Sequence, residues 1–72
     1  MPSSSMKVHS TNIRDIEYDA KTQTLSIMFK SGRTYQYLNV PQIVYDRFEK
    51  SPSKGEFFAT SIKDAYSTLG LN

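Results

Sequence analysis

The chain has 72 residues and a formal net charge of +2, and this length allows one small domain that buries only about 60% of the surface exposed by its unfolded form. The absence of cysteine excludes disulfides and thiolate metal sites, and the single histidine, His9, excludes a histidine cluster for zinc. No apolar run approaches the roughly 20 residues that span a bilayer, and a hydrophobic content of 38% is typical of a globular domain rather than a disordered chain.

Basic residues are concentrated in the middle and C-terminal part of the chain. Residues 1–27 contain three basic and three acidic side chains, whereas residues 28–63 contain six basic and three acidic ones. This distribution favours an anionic partner such as a nucleic acid, although ordinary solvated lysines produce the same pattern.

The ends of the chain are expected to lie outside the folded unit. Residues 1–7 are rich in serine and lack the apolar segment of a secretory signal, so we expect a disordered lead and a cytoplasmic protein. Residues 8–66 are predicted to form the single domain, and residues 67–72 a tail.

Alternating apolar residues predict two strands in the first half of the chain. Leu25, Ile27 and Phe29 share one face of the clearer strand, and Ile16 and Tyr18 alternate in the same way in the preceding one. A hairpin that pairs Tyr18 with Leu25 would place these apolar side chains on one face of a sheet.

The loop of this hairpin and the residue that precedes its first strand also have predictable conformations. Residues 20–23 are predicted to form a four-residue loop in which Asp19 accepts backbone hydrogen bonds and Gln23 adopts a left-handed conformation. Ile13 has the opposite parity from the strand that follows it, which predicts a lead-in or a bulge.

A third strand is predicted around Tyr35 and Tyr37, and the length of the loop before it decides which way these rings point. A two-residue loop would put both tyrosines on the face opposite Ile27. A three-residue loop would pair Tyr35 with Ile27 and Tyr37 with Leu25, with Gly32 in the left-handed position that favours glycine. We favour the three-residue loop because it gathers the large apolar residues on one face.

Two helices are predicted after the strands. Pro41 is expected to be the first helical residue, and Pro52 ends that helix. Ser53 and Glu56 have the spacing of a capping box, so the second helix should run from about Lys54 to Asp64. The predicted fold class is therefore α+β, with a three-stranded antiparallel β-meander followed by two short helices packed on one face.

Several short motifs occur together in this order and at this spacing. The most specific are the pair Tyr35 and Tyr37 and the run Ser53-Lys54-Gly55 before Phe57 and Phe58. Further matching positions are Ser10–Ile13, Tyr18, Asp19, Leu25, Ile27, Phe29, Gly32, Val40, Pro41, Val44, Tyr45, Pro52 and Ile62.

Over residues 8–66 this pattern resembles the KTSC domain family, which is named after the C-terminal domain of some lysyl-tRNA synthetases and includes small stand-alone bacterial and phage proteins. The resemblance implies a domain without a settled activity, for which RNA binding has been suggested. The chain departs from the pattern at Ala59, where many members have asparagine, and at residues 62–65, where many have a more basic run.

Aromatic rings interleaved with cations are the first candidate for a binding site. If Tyr35 and Tyr37 face solvent, they could stack on successive bases, with Lys30 and Arg33 beside them. If they face inward, as the favoured register predicts, they fill the core instead.

The start of the second helix is the other candidate. Lys54 stands in a first helical turn, where a cation opposes the helix dipole, and Gly55 permits close approach to the backbone. This arrangement predicts a corner that accepts an anion, unless Lys54 extends into water and the cap occupies the N–H groups. The complete set of candidate nucleic-acid or anion-binding residues is Lys30, Arg33, Tyr35, Tyr37, Arg47, Lys50, Ser53, Lys54 and Gly55.

The expected function is that of a non-catalytic binding module without a cofactor or a metal. An isolated His9 in a polar lead offers no base held against a nucleophile. RNA or another nucleic acid is the expected partner. The alternative is a protein partner or a second copy of the chain on the uncovered sheet face, where Met28 and Leu38 form a small apolar spot.

Overall fold

The computed structural model describes residues 4–7 and 12–71. Within these residues, five strands form one antiparallel sheet in the order β1-β2-β3-β4-β5, which is also their order in the chain. The strands are β1 (Ser4–Lys7), β2 (Ile13–Asp19), β3 (Thr24–Phe29), β4 (Thr34–Tyr37) and β5 (Thr68–Gly70). The helices are α1 (Gln42–Lys50) and α2 (Lys54–Phe57), and α2 continues directly into a π-helical turn, Phe58–Ile62. The chain is therefore an α+β domain, as predicted.

The register between β3 and β4 is the one that the three-residue loop requires. Tyr35 pairs with Ile27 and Tyr37 with Leu25. Gly32 closes the loop with a φ of +97°, and its N–H donates to the Phe29 carbonyl at 3.0 Å. Both tyrosines therefore lie on the face of the sheet that the helices cover.

The first hairpin also has the predicted pairing, with Tyr18 opposite Leu25. Gln23 has a φ of 57°, and the Lys21 N–H donates to Oδ1 of Asp19 at 3.0 Å. The loop therefore uses the side chain and the left-handed residue that the sequence indicated.

Strand β2 contains a bulge next to Ile13. Its register with β3 shifts between Ile13 and Asp15, and this extra residue turns the Ile13 side chain into the core beside Ile16.

The two outer strands were not predicted. Ser4–Lys7, in the expected disordered lead, pairs with β2, and Thr68–Gly70, in the expected tail, pairs with β4. The free edges of the three-stranded meander offer unpaired N–H and C=O groups, and any short segment within reach can satisfy them without an apolar pattern of its own. Residues 1–3 of the lead and residue 72 of the tail lie outside the described residues.

Helix α1 begins one residue later than predicted, because Pro41 is extended with φ −65° and ψ 152° and caps the helix. Its carbonyl accepts the N–H groups of Val44 and Tyr45. Tyr45 and Phe48 are buried on its inner face.

The second helical segment is shorter and wider than a regular α-helix from Lys54 to Asp64. The Ser53 hydroxyl caps it by accepting the Glu56 N–H at 3.4 Å. After one α-helical turn the pattern changes, and the Lys63 N–H reaches five residues back to the Phe58 carbonyl at 2.9 Å.

One core joins the sheet to the helices. Its buried side chains come from β2, β3, β4, α1 and the π-turn, together with Val40 before α1: Ile13, Ile16, Tyr18, Leu25, Ile27, Tyr37, Val40, Tyr45, Phe48, Phe58 and Ile62. The described part of the chain contains no helix long and apolar enough to cross a membrane. Nor do residues 12–71 bring together three side chains of the His, Cys, Asp and Glu types that could hold a metal ion.

Candidate functional site

A cleft of about 870 Å³ lies between the β3–β4 hairpin and the π-helical turn. Residues from six parts of the fold line it: Asn12 and Ile13 at the start of β2, Phe29, Lys30, Ser31 and Arg33 around the hairpin turn, Tyr35 and Tyr37 on β4, Gly55 on α2, Phe58, Ala59, Lys63 and Asp64 around the π-turn, and Thr68 on β5. Tertiary structure therefore brings three of the basic residues, Lys30, Arg33 and Lys63, to a single concave surface. We call this surface the hairpin cleft.

Aromatic rings line the hairpin cleft. Phe29 meets Tyr35 and Phe58 edge to face, at centroid distances of 5.8 and 5.6 Å, and Tyr37 meets Phe58 in the same way at 5.4 Å. Tyr37 and Phe58 belong to the buried core, whereas Phe29 and Tyr35 are only half-buried. The two tyrosines therefore face inward, as the favoured register predicts, and they also line the cleft.

Phe29 shares the apolar face of β3 with Leu25 and Ile27, but it is only half-buried. It ends β3 next to the hairpin turn, where the helices no longer cover the sheet completely. This partial exposure leaves apolar aromatic surface accessible from solvent.

Three cations line the same cleft as these rings. Lys30 and Arg33 come from the hairpin turn and Lys63 from the end of the π-turn, and all three are exposed. None of them forms an ion pair within the described part of the chain, where the one salt bridge joins Arg14 and Asp15. Their charges are therefore available to an anionic ligand.

Arg33 is held over the cleft by an interaction with Tyr35. Its Nη1 donates to the Tyr35 hydroxyl at 3.4 Å, and this hydrogen bond raises the pKa of the guanidinium above its ordinary value. The tyrosine thus orients the cation without neutralising it.

One acidic side chain, that of Asp64, lines the same cleft. Burial raises the pKa of Tyr37, and the nearby Tyr35 and the Asp64 carboxylate raise it further. The cleft therefore combines three cations with one carboxylate that lies close enough to Tyr37 for its charge to act on the hydroxyl.

Only some of the predicted site residues meet in this cleft. Lys30, Arg33, Tyr35, Tyr37 and Gly55 line it together. The remaining four, which do not line it, are Arg47, Lys50, Ser53 and Lys54.

The predicted anion corner at Lys54 has a different arrangement in the structure. Its Nζ donates to the Ser51 carbonyl at 2.5 Å, at the C-terminal end of α1. The Ser53 hydroxyl accepts the Glu56 N–H, so it is occupied as a cap. The ammonium that opposes the α2 dipole therefore has an internal partner at the negative end of the α1 dipole.

Sequence reasoning did not place Phe58, Lys63 or Asp64 in the site. In the sequence, Phe58 stands out only as a motif position, and the capping box predicts Lys63 and Asp64 on a regular helix. The π-turn changes the angular positions of the residues that follow it, and no local sequence signal predicts such a turn.

The comparisons with known proteins agree with this architecture. The family model of the KTSC domain matches residues 9–66. The chain belongs to the KTSC domain family. A KTSC domain protein from Yersinia pestis, known from a crystal structure, has the same fold with a TM-score of 0.88 and 35% sequence identity, and the match covers 99% of this chain and 100% of that one.

Similar segments occur both within longer proteins and as a small protein. A lysine–tRNA ligase from Nostoc punctiforme is 39% identical over 61 residues, which are 85% of this chain and 11% of the ligase. A protein from Tsukamurella paurometabola is 33% identical over 64 residues and is matched along 96% of its length. The chain thus corresponds to about a tenth of the ligase and to nearly the whole of the small relative.

Proposed function

We propose that this KTSC domain is a small non-catalytic module that binds single-stranded RNA in the hairpin cleft. The observation that carries the proposal is the set of three exposed cations, Lys30, Arg33 and Lys63, which have no ion-pair partner in the described residues and line the same cleft as the aromatic rings. Cations supply the phosphate attraction on which nucleic-acid affinity depends, and aromatic rings supply the stacking that holds a base.

The shape of the site favours an unpaired strand. The rings of Phe29 and Tyr35 lie inside a concavity between a hairpin and a helical turn rather than on an open sheet face. A base within a duplex cannot leave its stack to enter such a recess at low cost, whereas an unpaired base can.

Similarity supports RNA as the partner. The matched relatives include lysine–tRNA ligases, enzymes whose name specifies tRNA, and they share this segment at 36–39% identity. A segment that occurs both within a tRNA ligase and in a small protein is consistent with a portable RNA-binding unit.

The salt dependence of binding tests this proposal. We expect a labelled single-stranded hexaribonucleotide to bind with a log–log slope of about −2 if three cations each meet one phosphate, because each neutralised phosphate of a single strand contributes about −0.7. Between 50 and 200 mM salt this slope corresponds to a loss of affinity on the order of tenfold. Fluorescence anisotropy measures both quantities.

Variants that each remove one positive charge test whether RNA binds in the cleft. Lys63→Gln should weaken binding and reduce the slope by about 0.7, whereas the same change at Lys50, another exposed lysine that lies on α1 outside the cleft, should change neither. Equal losses in both variants would indicate diffuse attraction to the protein and contradict a site in the cleft.

A second candidate function is supported by the edge strand β5. Leu69 and Leu71 are 50% and 53% exposed, and their partners across the β4–β5 ladder, Gln36 and Thr34, lie on the face opposite the helices. This apolar strip is suited to a protein partner or a second copy. Concentration-dependent association that Leu69→Lys abolishes, without any RNA binding, would favour this candidate over the first.

A further inference from the structure

The two ends of the hairpin cleft carry different charged groups, with cations alone at the hairpin turn and both Lys63 and Asp64 at the end of the π-turn. Lys30 and Arg33 occupy the end formed by the hairpin turn, whereas Asp64 acts on Tyr37 further along β4. A strand rises about 3.3 Å per residue, so Arg33 and Tyr37 are separated by roughly 13 Å. A ligand with an anionic group at one end and hydrogen-bond donors at the other would match this polarity.

The Asp64 carboxylate is unpaired among residues 12–71. Asp64 is exposed, lines the cleft, and makes neither a side-chain hydrogen bond nor an ion pair within residues 12–71. An ionised carboxylate only accepts hydrogen bonds, and its two oxygens can accept two parallel ones. Because it would repel a phosphate, its end of the cleft is suited to the base of a nucleotide.

We propose that the cleft selects guanine, with Asp64 as the residue that recognises the base; this inference rests on the proposed RNA binding. The Watson–Crick edge of guanine carries two adjacent donors, N1–H and the N2 amino group, which fit the two carboxylate oxygens. Adenine and cytosine each present one amino donor beside a ring-nitrogen acceptor, and uracil presents one N–H between two carbonyl oxygens. Only guanine can therefore satisfy both oxygens of Asp64 without placing an acceptor against them.

The rest of the cleft is consistent with this orientation. A guanine bound to Asp64 would lie against the half-buried face formed by Phe29 and Tyr35, and its backbone phosphates would extend towards Lys30 and Arg33. Lys63, which stands next to Asp64, remains available to a neighbouring phosphate of the strand.

Four hexaribonucleotides that differ at one position test the proposal. They carry guanine, adenine, cytosine or uracil at the third position of an otherwise all-uridine strand, which avoids the self-association of guanine runs. We expect the guanine strand to bind about tenfold more tightly than the others, since one bidentate base contact typically gives at least this discrimination. Anisotropy gives the affinities, and the amide signals of residues 63–68 should move most with the guanine strand.

The variant Asp64→Asn identifies the recognising residue. An amide presents one acceptor and one donor group, so the preference for guanine should fall to within about twofold while the other three strands bind as before. Glu49→Gln removes one negative charge on the outer surface of α1 and should leave the preference unchanged. Because Asp64 is exposed, the amide spectrum of the free variant should retain the dispersion of the folded domain.

The outcomes separate this inference from the proposed function. Equal, salt-dependent binding of all four strands would overturn guanine selection and leave RNA binding in place. A guanine preference that persists in Asp64→Asn would assign the recognition to other groups and overturn the role of Asp64. No binding of any strand at low salt would overturn both proposals.

Discussion

Two stacked tyrosines in the core differ in whether their hydroxyl groups form a hydrogen bond. The rings of Tyr18 and Tyr45 lie 4.6 Å apart and nearly parallel. The Tyr18 hydroxyl donates to the Val40 carbonyl at 2.5 Å, whereas the Tyr45 hydroxyl is buried and has no hydrogen-bond partner in the described structure. A buried polar group without a partner destabilises the folded state, and a satisfied one does not.

Removal of the two hydroxyls should therefore have opposite effects on stability. Tyr45→Phe should raise the free energy of unfolding by about 1 kcal/mol, because it removes an unsatisfied polar group and keeps the ring. Tyr18→Phe should lower it by about 1–3 kcal/mol, because it leaves the buried Val40 carbonyl without this donor. Urea denaturation measures both, and destabilisation of similar size in the two variants would contradict this assignment.

At the scale of elements, a compact link joins the two helices. Two donors bind carbonyl groups at the C-terminal end of α1. The Lys54 ammonium donates to the Ser51 carbonyl, and the Ser51 N–H donates to the Phe48 carbonyl. The Ser51 hydroxyl donates to the Ser53 carbonyl at 2.9 Å and accepts the Ser53 N–H at 3.2 Å. The link thus satisfies backbone groups that a helix end would otherwise leave unpaired.

Loss of the lysine charge should weaken this link. Lys54→Met keeps the length of the side chain and removes the charge-assisted hydrogen bond, so we expect a loss of about 1–2 kcal/mol in the free energy of unfolding. Lys50→Met, on the exposed side of α1, should change it by less than about 0.5 kcal/mol. Thermal or urea unfolding of both variants provides the comparison, and an unchanged Lys54→Met protein would show that the contact does not contribute.

The π-helical turn is the element that connects the core to the cleft. It buries Phe58 and Ile62 while its end places Lys63 and Asp64 at the cleft. An α-helix of the same sequence would advance each residue by a fixed angle and would rotate these two side chains relative to the buried pair. The wider turn therefore sets the charge pattern of the proposed site.

At the scale of the whole molecule, three core tyrosines link stability to alkaline pH. Burial raises the pKa values of Tyr18, Tyr37 and Tyr45 above the ordinary value of 10.0, and nearby carboxylates add to the effect. The folded state therefore retains phenolic protons that the unfolded chain loses. Their contribution to stability is complete below about pH 10 and decreases as the pH rises through the folded-state values.

We accordingly expect little tyrosine-dependent change in the free energy of unfolding between pH 7 and 9 and a steep fall above pH 10. The Tyr45→Phe variant should lose less stability per pH step above pH 10, because it has one fewer buried phenol. Urea titrations at several pH values measure the slope, and an identical slope in the wild type and the variant would exclude Tyr45 as a contributor.

Much of the fold follows from local patterns. Period-two alternation located the meander strands, the chemistry of Asp19 and Gly32 predicted both hairpin loops, and the spacing of Ser53 and Glu56 predicted the cap of α2. These signals are short-range, because turn geometry and side-chain parity depend on neighbouring residues alone.

The candidate site was only partly predictable. Lys30, Arg33 and Tyr35 lie within one hairpin, so the sequence was sufficient to group them. Lys63 and Asp64 are about thirty residues away, and their approach to the hairpin depends on how the helical segment packs against the sheet.

The sequence by itself determined the family, the α+β class and the register that turns Tyr35 and Tyr37 inward, because each depends on residue identities at short spacings. Only the tertiary structure decided that Ser4–Lys7 and Thr68–Gly70 complete the sheet, since edge pairing uses backbone groups that every residue carries. It also decided that Lys54 binds the end of α1 and that Lys63 and Asp64 face the hairpin. Contacts between segments distant in the chain arise from packing, which local patterns do not encode.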